Sequence, residues 1–564
     1  MSSPRLRVQF ETLFEHFHGE DAETQLDDVT DILCCTRRNA RIVLNKMEEE
    51  GWVEWHPAAG RGKLSRLLFR RSRTDVSENL ARRYLDEGKI GQALNVLDQD
   101  AAKLSKVIQG YLGIQHAEGL PVIRLPYYRP LSMLNPLKTM RRSERHIVKQ
   151  VFSGLTRLDD DEQVRPELAH HWESITACHW RFFLRPGVRF HNGELLTTEI
   201  ALESLLQLKS FHLFSHIQAI KSPSEWVIDI YLSRDDHYLP LWLSETCANI
   251  MLPASERQDN FDVYPIGTGP YKVLINDDKR LILQAFDGYF GFRPLLDRVE
   301  VWVISSIHSS LVFPSIDTPS QLGHKVSSQE DVGLDPGCTY LLLNRCDGVA
   351  KNVEWARYLS QRLRSLNVLR LMPESSIVDM GLVPAHGLKP GWYHQPPINP
   401  DDTLPEKQRI SIAYQANHPM YPALVNVLKR ILNYDGLHVD VIQHDSESQT
   451  SPNVDIWVQS MGIANRRDEA LAAWLLNDSH IQHLSSKENF SQWAAQIDAW
   501  RSVPNKEFPG RSLGQSLVDN HQVIPLFHSW LGVSKEQCGS LQNAKCNALG
   551  WFDFSQVWVK PQLT

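Results

Sequence analysis

Between Arg37 and Glu50 the apolar residues Ala40, Val43, Leu44 and Met47 recur at helical spacing, leaving Arg37, Arg38, Arg41 and Asn45 on the other faces. What flanks this segment limits how such a helix can be used. Upstream, Leu6, Phe10, Leu13, Phe14 and Phe17 mark an amphipathic helix with Gly19 as its stop, and Val29, Ile32 and Leu33 mark a shorter one from about Leu26 to Leu33. Cys34-Cys35-Thr36 then reads as a turn, with Thr36 placed to cap the third helix. Downstream, Trp52-Val-Glu-Trp55 and Ser65-Arg-Leu-Leu-Phe-Arg70 flank a turn-rich stretch ending at Lys63, the pattern of a hairpin with a long tip. Together these predict a winged helix-turn-helix of α+β type over residues 1–74.

In that arrangement the start of the third helix enters the major groove, where Arg bonds guanine bidentately and Asn reads adenine. Thr36, Arg37, Arg38, Asn39, Arg41 and Asn45 are the expected contacts on the helix. Arg61, Lys63 and Arg66 are the expected contacts on the wing, where basic residues set register through phosphates. Residues 37–73 hold ten Lys/Arg against four Glu, net +6, whereas the whole chain is −8 and its remainder therefore −14. A polyanion partner for one end only is implied, with double-stranded DNA the leading expectation. The same fold also serves RNA- or protein-binding adaptors, which salt-dependent affinity for a specific duplex separates from DNA readers.

The eight cysteines form no CxxC pair and read as reduced and mostly buried. Cys34-Cys35 beside the third helix suggests a redox switch, but a bridge between neighbours strains the peptide, and packing of one thiol into the small core is the stronger expectation. Residues 75–120 read as a helical connector, with Leu80, Tyr84 and Leu85 in a first helix and Leu94 to Leu112 in a second. It suits a lever, a spacer or a dimerisation surface.

The first thirty residues carry Glu11, Glu15, Glu20, Asp21 and Glu23 and no apolar run, and no stretch reaches the roughly 20 apolar residues of a membrane span. A cytoplasmic protein without membrane association is expected. Walker-type, HExxH and GxSxG patterns are absent, and His170-His171 with Cys178-His179 matches no common zinc spacing. Neither an enzyme nor a cofactor or metal site is expected.

From Val122-Ile-Arg-Leu125 onward strands and helices alternate to the end, which implies an α/β architecture. Within it Phe152-Ser-Gly-Leu-Thr156, Arg165-Pro-Glu-Leu-Ala169, Trp180-Arg-Phe-Phe-Leu-Arg185, Phe190-His-Asn-Gly193 and Gly267-Thr-Gly-Pro-Tyr271 follow in order. This series resembles the family 5 extracellular solute-binding proteins over roughly residues 121–560. The resemblance implies a two-lobed, periplasmic-binding-protein-like α/β domain over 121–564 that closes by a hinge, with lobe I near 121–303 and 525–564 and lobe II near 304–524. With the N-terminal unit, Gly60-Arg-Gly-Lys63 and Leu549-Gly-Trp-Phe-Asp-Phe554, the whole resembles the SgrR-type bacterial transcriptional regulators. That resemblance implies an activator of a small regulatory RNA and of sugar-efflux genes, and a small-molecule effector with a sugar phosphate as candidate; contact with RNA polymerase is a further expectation. A transporter's solute-binding subunit is the contrasting reading, disfavoured by the basic winged helix.

Peptide binders of family 5 carry a Gly-Trp-x-x-Asp-Tyr segment whose aspartate holds the peptide amino terminus. The corresponding stretch here keeps Asp455 but lacks both pairs, which argues against a peptide ligand, while Arg466 and Arg467 suit a phosphate, as do surface charges in general. Tyr127, Tyr128, Arg129, Tyr271 and Trp392, all in motif loops, complete the expected cleft residues.

Overall fold

The structure, a computed structural model, describes residues 4–58, 63–87, 89–97, 107, 111–117, 120–304, 331–394, 409–416, 418–444, 454–533 and 541–561. It divides into two compact units, Met1–Leu112 and Gly113–Ser305 with Ser309–Thr564. Among the described residues no helix is long and apolar enough to cross a membrane.

In the first unit the expected helices are α1 (Pro4–His16), α2 (Leu26–Ile32) and α3 (Arg37–Glu49). Gly19 stops the first turn at φ +75°, and any Cβ there would meet the Phe14 ring at 2.6 Å. The Thr36 hydroxyl accepts from the Asn39 amide at 3.3 Å, so α3 begins where its cap predicts. The hairpin strands β2 (Val53–His56) and β3 (Ser65–Phe69) are joined by a third, β1 (Ala22–Thr24), in the antiparallel order β1-β3-β2. Three residues are too few to show an alternating pattern, so β1 was not legible beforehand.

Phe10, Leu13, Val29, Ala40, Leu44, Met47 and Leu67 are fully buried at the centre of this unit. Phe10 meets the Trp52 ring edge-on at 5.5 Å and Phe14 meets Phe69 at 5.2 Å. Each large apolar side chain buried here contributes roughly 1.5–3 kcal/mol. α4 (Arg73–Asp86) follows, begun by a Ser72/Asp75 capping box, and then α5 (Ile90–Val96). Val76 of α4 packs into the winged-helix core, and Arg83 donates to Glu50 at 3.0 Å. Helix α4 therefore belongs to the same packed body as α3. The second half of the expected connector, 98–106 and 108–110, lies outside the described residues. Its end, Gly113–Ala117, is a strand of the second unit rather than helix, because Leu120–Tyr127 offers it a strand to pair with.

The second unit holds a five-stranded sheet in the order Tyr271–Asn276, Arg280–Ala285, Arg298–Val303, Leu120–Tyr127, Gly113–Ala117. Helix Arg142–Val151 and the late residues Trp551, Phe552, Phe554 and Val557 share its core. A four-stranded antiparallel sheet is built from Ile217–Ser224, Val227–Leu232, His179–Leu184 and Ala169–Thr176. The other lobe is a seven-stranded sheet running Asp331–Leu334, Val523–Val533, Thr339–Leu343, Ile456–Ser460, Arg409–Gln415, His438–His444, with Leu382–Pro384 added on Val523–Val533. The expected return to lobe I at residue 525 falls inside Val523–Val533, whose partners are all in lobe II; the chain re-enters the first lobe only beyond residue 533.

Phe190-His-Asn-Gly193 and Gly267-Thr-Gly-Pro-Tyr271 interlock. The His191 amide donates to Gly267 O at 2.9 Å, and its Nδ1 accepts from the Gly267 amide at 3.3 Å. Its Nε2 must then carry the proton it gives to Gly269 O at 3.0 Å. Burial accordingly lowers this imidazole to about 4. Gly269 N–H donates to Val151 O at 2.9 Å, and a Cβ on Gly267 would lie 2.2 Å from that same oxygen. The motif pair is thus a clamp on the C-terminal end of helix Arg142–Val151.

Candidate DNA-reading helix and solute cleft

On α3 the side chains opposite the buried face are Arg38, Ile42 and Asn45, with Arg41 and Lys46 beside them, all exposed. Asn39 is half-buried and its amide is spent on the Thr36 cap. Arg37 is not free: its guanidinium grips both carboxylate oxygens of Asp27 on α2. The pair is exposed, and the hydrogen bond from Arg37 lowers the Asp27 carboxyl. Lys63 and Arg66 are exposed, Arg66 opposite Glu23 and His56 in the wing sheet. Arg61 lies outside the described residues. Of the two cysteines in the turn, Cys34 is exposed at φ +48° and Cys35 packs against the core.

The two lobes of the second unit meet along helix Arg142–Val151. Arg141 donates to Ala416 O at 3.0 Å, Arg142 pairs with Asp335, and Arg145 donates to Gly462 O. The loop residues 335–338, 416, 418–420 and 461–466 that receive them gather at one edge of the seven-stranded sheet, beside the C-terminal ends of Arg409–Gln415 and Ile456–Ser460, where open α/β sheets bind ligands. Burial, then Arg141, Arg142 and Arg129, push the His418 imidazole well below its ordinary value, and its ring stacks on Tyr421 at 3.7 Å. Tyr421 OH shares a hydrogen bond with Ser460 Oγ at 2.8 Å.

Further along the helix, burial and then Arg145 affect Lys149, whose ammonium is held below its usual range despite the nearby Glu245, Asp553 and Glu167. Burial raises Glu167 to about 7, although it accepts from the Gly154 amide at 2.7 Å. Arg141, Arg145 and Lys149 recur every four residues, a basic series that helical periodicity alone reveals.

The expected cleft residues part company here. Tyr127, Tyr128 and Arg129 sit together against the start of the same helix, where Tyr127 OH shares a hydrogen bond with Ser143 Oγ at 2.6 Å. The Tyr rings lie 4.6 Å apart, the Arg129 guanidinium stands 5.6 and 5.7 Å from them, and Glu144 takes it in a buried ion pair. Tyr128 alone of the three is half-exposed. Tyr271 is fully buried, with its hydroxyl donating to Leu296 O and Phe554 O at 3.1 Å each, so it is a core residue. Trp392 is buried against Gly510 and Gly514. Asp455 is also structural: it accepts from the Val349 and Ser411 amides, both at 2.8 Å, at the end of its strand opposite Ser460. Arg466 and Arg467 do not converge on open space. The Arg466 amide donates to the Glu162 carboxylate, while Arg467 donates to Glu162 O at 3.0 Å and to Glu469 at 2.7 Å. They bridge the lobes, because a first-lobe carboxylate lies within reach.

Residues 5–119 match the family described as sugar transport-related sRNA regulator N-term, and residues 163–311 match the middle region of the bacterial extracellular solute-binding proteins, family 5. The chain is 34% identical over 565 residues to the HTH-type transcriptional regulator SgrR of Yersinia pestis (strain Pestoides F), covering all of both proteins. The SgrR proteins of Pectobacterium atrosepticum and of Escherichia coli O1:K1 / APEC match end to end at 34% and 33%. The chain belongs to the SgrR family of HTH-type transcriptional regulators. These relatives are named as transcriptional regulators. Among solved structures the Escherichia coli murein tripeptide-binding protein MppA aligns with 79% of the chain at a TM-score of 0.62 and 14% identity, over its full length. The Bacillus subtilis oligopeptide-binding protein AppA aligns with 78% of the chain and 99% of its own at 0.61 and 15%. At these identities the likeness establishes the two-lobed fold of this SgrR-family chain and nothing about its ligand.

Proposed function

We propose that this SgrR-family regulator reads double-stranded DNA in the cytoplasm through α3 and its wing, and that a small anionic effector bound between the lobes biases which state presents that helix. Arg38, Arg41 and Asn45 make the base contacts. Thr36, Asn39, Arg61, Lys63 and Arg66 set register, and Arg37 joins them when Asp27 releases it. The observation that carries the ligand class is that Arg141, Arg142 and Arg145 reach from one helix to the strand-end edge of the opposite lobe, with the half-exposed Tyr128 packed near Tyr127 at the start of the same helix. A sugar phosphate meets that chemistry: its phosphate suits the cations and its ring the tyrosine face. The sugar-related name of the N-terminal family supports the same class. The chain would act as an activator, in contact with RNA polymerase.

By linkage, the effector changes DNA affinity only by the ratio of its affinities for the two states. The test is fluorescence anisotropy of the full chain on its own upstream duplex, against shuffled competitor, with hexose 6-phosphates, free hexoses and short peptides added. Duplex-specific binding that a sugar phosphate alters, and that R145A no longer alters, is expected. Response to free hexose alone, or none to any phosphate, overturns the effector assignment.

A further inference from the structure

Ile42 is the one large apolar side chain on the solvent face of α3, and it is 45% exposed. Single exposed apolar residues are ordinary on protein surfaces. This one lies four residues after Arg38 and three before Asn45, directly opposite the buried line Ala40, Val43, Leu44 and Met47. The neighbouring Arg38, Arg41 and Lys46 have no ion-pair partner among the described residues, so its surroundings are cationic as well as open. Among the described residues the unit's other exposed large apolar side chains, Val8 and Leu64, lie on α1 and next to the wing.

A face with a branched hydrocarbon at its centre and guanidiniums around it matches one feature of the major groove. There the phosphates and guanine edges take cations, and thymine alone projects a methyl group. We propose that Ile42 reads sequence by packing on the 5-methyl group of one thymine in the bound site, while Arg38, Arg41 and Asn45 supply the polar contacts. This rests on the DNA-binding reading above and names a residue within it that motif inspection passes over, because inspection for DNA contacts looks for charge.

Deoxyuridine differs from thymidine only by that methyl. A preferred duplex is first selected from a random pool with the full-length protein. Each thymine is then replaced in turn by deoxyuridine, and affinities are measured for the wild type, Ile42→Ala and Ile42→Val. Losing one buried methyl is expected to weaken the wild type about fourfold at one position. Ile42→Ala is expected to be weakened by at least as much on the thymine duplex and to be indifferent to uracil at that position. Ile42→Val keeps a branched tip and retains most of the methyl dependence.

Thermal melting and affinity for random duplex check that the exposed substitution leaves the fold and the phosphate contacts intact. Uracil penalties equal in wild type and Ile42→Ala, or no methyl-sensitive position in the wild type, overturn the assignment while leaving DNA binding in place. A wild-type protein that selects no sequence fails the DNA-binding reading, and this inference with it.

Discussion

The ion pair between Asp27 and Arg37 withholds a cation from the start of the recognition helix, and releasing it has a calculable consequence. Both side chains are largely exposed, 50% and 68%, so the pair competes with water and salt and does little for the fold. Asp27→Asn removes a negative charge from the DNA-facing side and frees Arg37 for a phosphate. One added phosphate contact steepens the dependence of log affinity on log salt by about 0.9. Between 50 and 200 mM salt the variant is therefore expected to lose about 3.5-fold more affinity than the wild type, having started tighter at low salt. Anisotropy titrations on the upstream duplex across that range measure both slopes. Arg37→Ala in the Asp27→Asn background is expected to restore the wild-type slope. If Asp27→Asn leaves the slope unchanged, Arg37 either already reaches DNA or never does, and the proposed restraint is wrong.

Thr36→Ala leaves the Asn39 amide without its acceptor and is expected to lower winged-helix stability by about 1 kcal/mol. Thr36→Ser is expected to melt like the wild type in denaturant titration. Gly267→Ala drives a Cβ into Val151 O, backbone that has nowhere to go. Loss of soluble protein or a strongly lowered melting temperature is expected, and wild-type melting would contradict the clamp. Glu167 is raised from 4.5 to about 7, so across that window the folded form keeps a proton the unfolded chain has released. This group's contribution therefore falls as pH rises from 4.5 to 7, and Glu167→Gln is expected to match the wild type near pH 5 and melt higher near pH 8.

Much of this protein was written in short-range pattern. The three helices, the Thr36 cap, the hairpin and the buried line on α3 all follow from apolar spacing and from groups within four residues of one another, which the chain carries whatever else folds around it. The order of motifs from Phe152 to Tyr271 pointed to the lobed architecture by resemblance, whereas the reason for its glycines, the press of Gly267 and Gly269 on the distant backbone of Val151, is a tertiary one.

Charge partners were not legible, since they come from afar. Arg37 is spoken for by Asp27, Arg129 by Glu144 and Arg142 by Asp335. A guanidinium in sequence looks equally available in each case. Burial decided the rest. Tyr271, Trp392 and Asp455 looked like cleft residues, yet their polar atoms or faces are consumed inside the lobes, while Arg141 and Arg145 meet the opposite lobe. Periodicity tells which side of a helix is polar, and only the tertiary structure tells whether that side faces bulk water, a carboxylate or a second lobe.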